Sequence, residues 1–291
     1  MFLPSAGFHL EATLDSGQAF RWRRTASGWE GMAHALWVRF ESVPQGWNVT
    51  SMGAADPVWL RRYLRVDESV EEVTGAFPRD PVLLEAVDRW RGLRLLRQDP
   101  WECLASFILS STKQIVQIRQ IVELLCSAYG DPLPGEQGLP KTFPGPERVA
   151  SLSEEQLRAC KMGFRAPYLL ACARRIAEGR LDLQAVRRMD LDEARAALTS
   201  APGVGPKIAD CALLFGWGFE AAFPVDVWVA RVLRRFYFKG RDVPMEELRR
   251  FARSHFGPRA GYAQQYLFHH IRNLKPHEIE LPSNRRRLQS R

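Results

Sequence analysis

One lysine in this chain follows a Pro-Gly-Val-Gly turn, and an aspartate stands nineteen residues further on: Lys207 in "TSAPGVGPKIADC" and Asp226 in "FEAAFPVDVWVARVLRRFY". An amine is a nucleophile when it is unprotonated, and a carboxylate sharing its cleft can stabilise developing positive charge or help move a proton. A helix ending near Ser200, a turn over residues 202–205 and a second helix from about Pro206 make a helix-hairpin-helix. The glycines at 203 and 205 can adopt the positive φ that a tight turn needs, and they leave the backbone amides bare. Bare amides at a helix N-terminus bind a phosphate oxygen well. Taken singly, the turn reads equally as packing between two helices, and Asp226 as a plain N-cap. The joint spacing is what points to an amine and a carboxylate at one cleft.

The elements that must position them follow from the rest of the chain. Residues 20–51 alternate short stretches rich in Trp, Val and Phe with Ser-Gly and Pro-Gln-Gly turns, the pattern of an antiparallel sheet. From Asp56 onward the pattern changes to Asp-Pro helix starts at 56, 80 and 99. Ser153 with Gln156, and Asp190 with Glu193, read as capping boxes, and Gly130 closes a long amphipathic stretch. Residues 130–147 are too rich in Pro and Gly for regular structure and read as a surface loop. The expected fold is α+β: an N-terminal antiparallel sheet domain with flanking helices over 1–90, then a helical domain over 91–282 containing the hairpin at about 190–216. A mobile basic tail is expected over 283–291.

Composition narrows the classes. The chain has 291 residues, 46% of them hydrophobic, enough for one large domain or two modest ones. With 41 Lys+Arg against 33 Asp+Glu the formal charge is +8, which favours a polyanionic partner. The five cysteines (Cys103, Cys126, Cys160, Cys172, Cys211) form no C-x-x-C, and the six histidines form no H-x-x-x-H pair, so neither a disulfide framework nor a side-chain metal site is expected. No apolar run approaches the roughly 18 residues of a membrane span, and the first residues lack a secretory pattern. A soluble, unexported protein is expected.

"LTSAPGVGPKIADC" followed by "FPVDVWVARVL" resembles the signature of the helix-hairpin-helix base-excision DNA glycosylase superfamily. Within it, "LDSGQAFRWR" at 14–23, "DPWECLASFILSS" at 99–111, "KMGFRAPYL" at 161–169 and "GYAQQYLFHHIR" at 261–272 are similar to the 8-oxoguanine DNA glycosylases. The resemblance covers nearly the whole chain in the same order. It implies a bifunctional enzyme on double-stranded DNA containing oxidised guanine: Lys207 attacks C1′ of an extruded nucleotide, releases 8-oxoguanine or formamidopyrimidine guanine through a Schiff base, and then cleaves the abasic strand by β-elimination. Asp226 assists this chemistry. The main-chain carbonyl of Gly17 accepts from the N7 hydrogen that distinguishes oxoguanine from guanine, Phe268 and Cys211 sandwich the base, and Gln264 bonds its Watson-Crick edge. On periodicity alone Phe268 reads as core and Gln264 as a solvated position. Gly203, Val204 and Gly205 are placed at the DNA backbone, with Thr112, Gln117, Phe164, Arg165 and Trp228 as further DNA contacts.

The chain also departs from the pattern. Thr112, Lys113 and Gln114 stand where the eukaryotic enzymes carry asparagines, and Gln117 stands at the position of the arginine that engages the unpaired cytosine. Phe164 replaces a tyrosine wedge, and Trp228 a histidine of the animal enzymes. Losing the bidentate arginine implies a relaxed preference for the opposite base, since such contacts carry roughly 1–3 kcal/mol. These features suggest a bacterial-type member. No cofactor is expected beyond a monovalent cation on hairpin backbone carbonyls, and no iron-sulfur cluster, because no cysteine follows Cys211. A monomer is expected, acting in the cytoplasm on the nucleoid if the source is bacterial and in the nucleus if eukaryotic. The rivals are an alkylated-base DNA glycosylase, usually without a hairpin lysine, and a noncatalytic helix-hairpin-helix DNA-binding protein, which needs no Lys207 or Asp226.

Overall fold

The structure is a computed structural model that describes residues 1–53, 57–133 and 138–274. The expected basic tail and the Asp56 cap lie outside the described residues.

Five strands, β1 (Phe2–Pro4), β2 (Trp22–Arg24), β3 (Gly28–Ala33), β4 (Leu36–Val43) and β5 (Gly46–Met52), form one antiparallel sheet in the order β1-β5-β4-β3-β2. Alternation places Trp22, Trp29, Val38, Phe40, Trp47 and Val49 on the buried face, where they pack with Leu60, Tyr63 and Leu64 from the Pro57–Leu64 helix. The Ser-Gly and Pro-Gln-Gly turns sit where their residues suggest. The β3–β4 turn instead uses His34 at φ 56°, with no turn residue to announce it. Strand β1 and the Leu10–Asp15 helix also fall outside the residues 20–51 read as sheet.

Beyond the sheet the chain is helical. The Pro100–Leu109 helix is the centre of the larger core, with its side chains buried from Trp101 to Leu109 except Glu102. Its start is set locally: Pro100 occupies the first turn, and Asp99 accepts from the Glu102 amide at 2.9 Å. The Asp80 cap and both expected capping boxes are formed in the same way. Leu93 and Leu95 point into the helical core and Leu96 into the sheet core, so this short extended segment joins the two. Between them, buried Arg94 donates to the carbonyls of Gly7 at 2.9 Å and Glu68 at 2.8 Å. The described residues 131–133 and 138–144 of the Pro-rich stretch after Gly130 have no regular structure, and Gly145 caps the Pro146–Ala150 helix.

The hairpin joins the Leu191–Thr199 and Pro206–Ala212 helices. Gly203 takes φ +80°, and a Cβ there would lie 2.5 Å from Cγ of Tyr168, so both backbone and packing require glycine. Gly205 differs from the expectation: its φ is −85° and its conformation extended, because it serves as the N-cap rather than as the bend. A Cβ at Gly205 would meet nothing within 4 Å. After Ala212 the helix loosens over Leu213–Trp217, where the Gly218 amide donates to the Leu213 carbonyl five residues back.

Two expectations about stability follow. Gly203→Ala should destabilise the fold by about 1–3 kcal/mol, through positive φ and the clash with Tyr168, whereas Gly205→Ala should cost only about 0.5–1 kcal/mol, through a poorer N-cap. Urea unfolding of both variants checks this, and equal losses would contradict it. Separately, burial, reinforced by Arg272, pulls His269 down to about 4. The folded state thus favours the neutral ring, and its contribution is complete above the unfolded value of 6.5 and is lost as pH falls toward 4. Between pH 7.5 and 4 the wild type should lose up to about 3 kcal/mol more than His269→Leu; parallel pH profiles would contradict this.

Candidate active site

Lys207 lies in the first turn of the Pro206–Ala212 helix, which packs on the central Pro100–Leu109 helix. Its Nζ donates to Ser110 Oγ at 3.5 Å and sits 5.2 Å above the ring of Phe107. The last turn of the central helix therefore provides both a polar and an aromatic seat for the amine. One helical turn after Lys207 is Cys211, whose thiol is pushed up to about 12 by burial, with Lys207 opposing the shift and Asp226 and Asp210 adding to it. Cys211 is therefore a neutral, polarizable surface at physiological pH.

Asp226 is the N-cap of the Val227–Val232 helix, and its Oδ1 accepts from the Val229 amide at 2.7 Å. The capping explains its place in the fold and leaves the second carboxylate oxygen for other work. From the opposite side comes the Ala260–Arg272 helix, on which Gln264 and Phe268 are one turn apart. Gln264 is buried and its Oε1 has no partner. A buried acceptor without a donor is a costly arrangement, and it marks a place for a ligand that brings one.

Gly17 completes the ring at φ +75°. A side chain there would meet Ile115 Cδ1 at 2.9 Å and Phe268 Cε1 at 3.5 Å. One cavity of about 50 Å³ is lined by Gly17, Lys207, Cys211, Asp226, Gln264 and Phe268, together with Ser16, Phe107, Phe215, Pro224 and Gln265. All the residues expected to act on the base or the sugar thus meet at one place. Phe107, Ser110, Ser16 and Gln265 were not singled out from the sequence, because only the packing of separate helices gives them a role. The volume is well below the roughly 300 Å³ of an ordinary small-molecule site. A larger cavity of about 450 Å³, lined by Trp59, Arg65, Arg97 and Glu220, contains neither Lys207 nor Asp226. There the guanidinium groups of Arg65 and Arg97 are already paired, with Glu68 and Glu220.

None of the expected DNA contacts lines that cavity. Phe164 and Trp228 are 51% and 44% exposed, large apolar side chains left in solvent. Arg231 stacks over Trp228 at 5.2 Å. Thr112 and Gln117 are exposed beside the start of the Ile115–Tyr129 helix, where Gln117 Oε1 accepts from the Gln114 amide at 3.2 Å. Pro202 and Gly203 are exposed at the hairpin tip, Gly205 is half-buried and Val204 is buried. Arg165 differs from the expectation of a DNA contact beside Phe164. It is buried, with Nε donating to the Ser111 carbonyl at 2.7 Å, Nη1 to the Met162 carbonyl at 3.2 Å and Nη2 to Thr112 Oγ1 at 2.6 Å. Its guanidinium also lies 4.2 Å from the Phe164 ring, so it braces the exposed aromatic from beneath. Among the described residues no group of three or more His, Cys, Asp or Glu could hold a metal ion.

Comparison with known proteins agrees with this architecture. The family model for the 8-oxoguanine DNA glycosylase N-terminal domain matches residues 1–104, and that for the HhH-GPD superfamily of base excision DNA repair proteins matches residues 105–257. The chain is 32% identical to a probable N-glycosylase/DNA lyase of Methanothermobacter thermautotrophicus, over 94% of this chain and 96% of the relative. It is 32% identical to the N-glycosylase/DNA lyase OGG1 of Arabidopsis thaliana, over 97% and 80%. Among solved structures, the 8-oxoguanine glycosylase/lyase of Clostridium acetobutylicum, in complex with double-stranded DNA containing cytosine opposite 8-oxoG, superposes with a TM-score of 0.84 at 32% identity, covering 94% of this chain and 97% of that one. By sequence and by fold alike, the chain belongs to the HhH-GPD superfamily of base excision DNA repair proteins, in the 8-oxoguanine DNA glycosylase branch.

Proposed function

We propose that this protein is a DNA N-glycosylase with lyase activity that excises 8-oxoguanine, and formamidopyrimidine guanine, from duplex DNA, with Lys207 as the nucleophile. The observation that carries the reading is the meeting of Lys207, Asp226 and the unpartnered Gln264 Oε1 at one cavity. The Lys207 amine attacks C1′ as the bond from C1′ to the base breaks, and the ammonium so formed gives one of its two protons to the departing base. The bond from C1′ to the ring O4′ then breaks, O4′ takes the second proton and a Schiff base forms, from which loss of a C2′ proton breaks the bond from C3′ to oxygen and releases the 3′ phosphate. Asp226 stabilises the positive charge that develops on the sugar, using the oxygen that does not cap its helix. Gln264 Oε1 accepts from the Watson-Crick edge of the extruded base, and the neutral Cys211 thiol and Phe268 flank its faces. The hairpin amides, cleared by Gly203 and Gly205, hold the DNA backbone.

A monovalent cation on the hairpin carbonyls fits the same reading. The tip residues Pro202 and Gly203 are exposed and carry no charged side chain to compete for it. Such a cation supplies positive charge for an approaching phosphate. The protein acts as a monomer where DNA resides, in the cytoplasm of a bacterium or the nucleus of a eukaryote, and no described helix is long and apolar enough to cross a membrane. An alkylated-base glycosylase would have no use for the hairpin lysine, and a noncatalytic hairpin module none for the cavity.

Borohydride trapping on an oxoguanine duplex tests the nucleophile. Wild type should yield a covalent adduct and Lys207→Gln none, while Asp226→Asn should slow excision by about 10²–10³-fold without abolishing binding. An adduct that persists in Lys207→Gln would remove Lys207 from this role. With Gln117 in place of an arginine, excision opposite cytosine and opposite adenine should proceed at rates within about tenfold. A fall of a hundredfold or more opposite adenine would contradict the relaxed preference.

A further inference from the structure

The turn that carries Gly17 is clamped on both sides by glutamines from distant parts of the chain, Gln265 buried and Gln98 half-buried. The Ser16 carbonyl accepts from Gln265 Nε2 at 2.9 Å, and the Gln18 carbonyl accepts from Gln98 Nε2 at 2.6 Å. The Gly17 carbonyl lies between them, and no donor from the described residues reaches it. Gln18 adds a second tie through its own side chain: Nε2 donates to the Thr13 and Arg94 carbonyls at 2.9 and 2.8 Å, and Oε1 accepts from the Leu96 amide at 2.7 Å.

Gln265 is almost fully buried. At such a position a carboxamide without a partner is costly, so its bond to Ser16 is strongly enforced. The same helix contributes along one stripe: Gln264 and Phe268 line the cavity, and Arg272, the next residue at that spacing, pairs with Asp15 at 3.5 Å. Asp15 is also held by Arg119 at 3.2 Å. The helix that presents the base-contacting side chains is therefore the helix that fixes the chain entering the Gly17 turn.

We propose that Gln265 is a positioning residue for base discrimination. By holding the Ser16 carbonyl it fixes the peptide plane before Gly17, while Gln98 fixes the plane after Gln18. The intervening Gly17–Gln18 peptide cannot rotate freely, and its carbonyl is held as the turn's open acceptor. A carbonyl that can rotate away neither rewards the hydrogen on N7 of oxoguanine nor repels the lone pair of guanine. This inference rests on the proposed recognition role of Gly17. It predicts that loss of the clamp impairs base removal and spares the reaction of Lys207 with a sugar that has no base.

Single-turnover rates on two duplexes test this, one carrying oxoguanine and the other a preformed abasic site. For Gln265→Met, base excision should fall by about 10- to 100-fold, while abasic-strand cleavage stays within about twofold of wild type. Equal losses in both reactions with an unchanged thermal melt, or undiminished excision, would overturn the proposal. Should Gln265→Met fail to fold, Gln98→Met on the other flank carries the same test. Failure of the wild type itself to excise oxoguanine would instead overturn the functional reading, and this inference with it.

Discussion

The seat of one amine depends on the burial of one helix. Lys207 lies over Phe107 and beside Ser110, and both belong to the C-terminal end of the Pro100–Leu109 helix, which is packed on nearly every side. A charged or hydrogen-bonding head held against a packed helix has a defined position, whereas a surface lysine samples many rotamers. Asp99 and Pro100 set where this helix begins, its apolar length anchors it in the core, and the hairpin bends so that the next helix starts with its lysine above the ring. Gly203 makes that bend possible because Tyr168 occupies the space where any Cβ would go.

The second wall of the cavity comes from sequence far away. The Ala260–Arg272 helix brings Gln264, Gln265 and Phe268 against a turn near the start of the chain, and Gln18, Gln98 and Arg94 tie that turn to the segment joining the two cores. Gln265, Gln18 and Gln98 bond backbone groups, whereas Gln264 Oε1, which faces the cavity, is a buried acceptor without a donor.

Local signals made much of this legible. Aspartate caps, capping boxes and the glycine at the hairpin bend act through neighbouring backbone atoms, so their reading needs no tertiary information. The same holds for strands β2 to β5, whose Trp, Val and Phe residues and intervening turn residues mark them as strands. Elements whose cause lies elsewhere were not legible: β1 is only Phe2–Pro4 and exists by pairing with β5, and the His34 turn has a residue that does not advertise positive φ. Gly205 was read as a bend and is a cap, because two glycines in a turn do not say which one turns. Arg165 was read as facing DNA, yet it stitches Ser111, Thr112 and Met162 together, a role visible only once those segments meet. At the cavity, residue types and spacing announced the amine and the carboxylate, Gly17 was singled out only by the resemblance, and Phe107, Ser110 and Gln265 acquire meaning through packing.

The proposed chemistry requires a covalent bond between the Lys207 nitrogen and deoxyribose C1′. Peptide mapping by mass spectrometry of the borohydride-reduced complex with an oxoguanine duplex locates that bond. The sugar remnant should fall on the peptide containing Lys207 and fragment at that side chain. A remnant on any other amine of the protein would contradict the account.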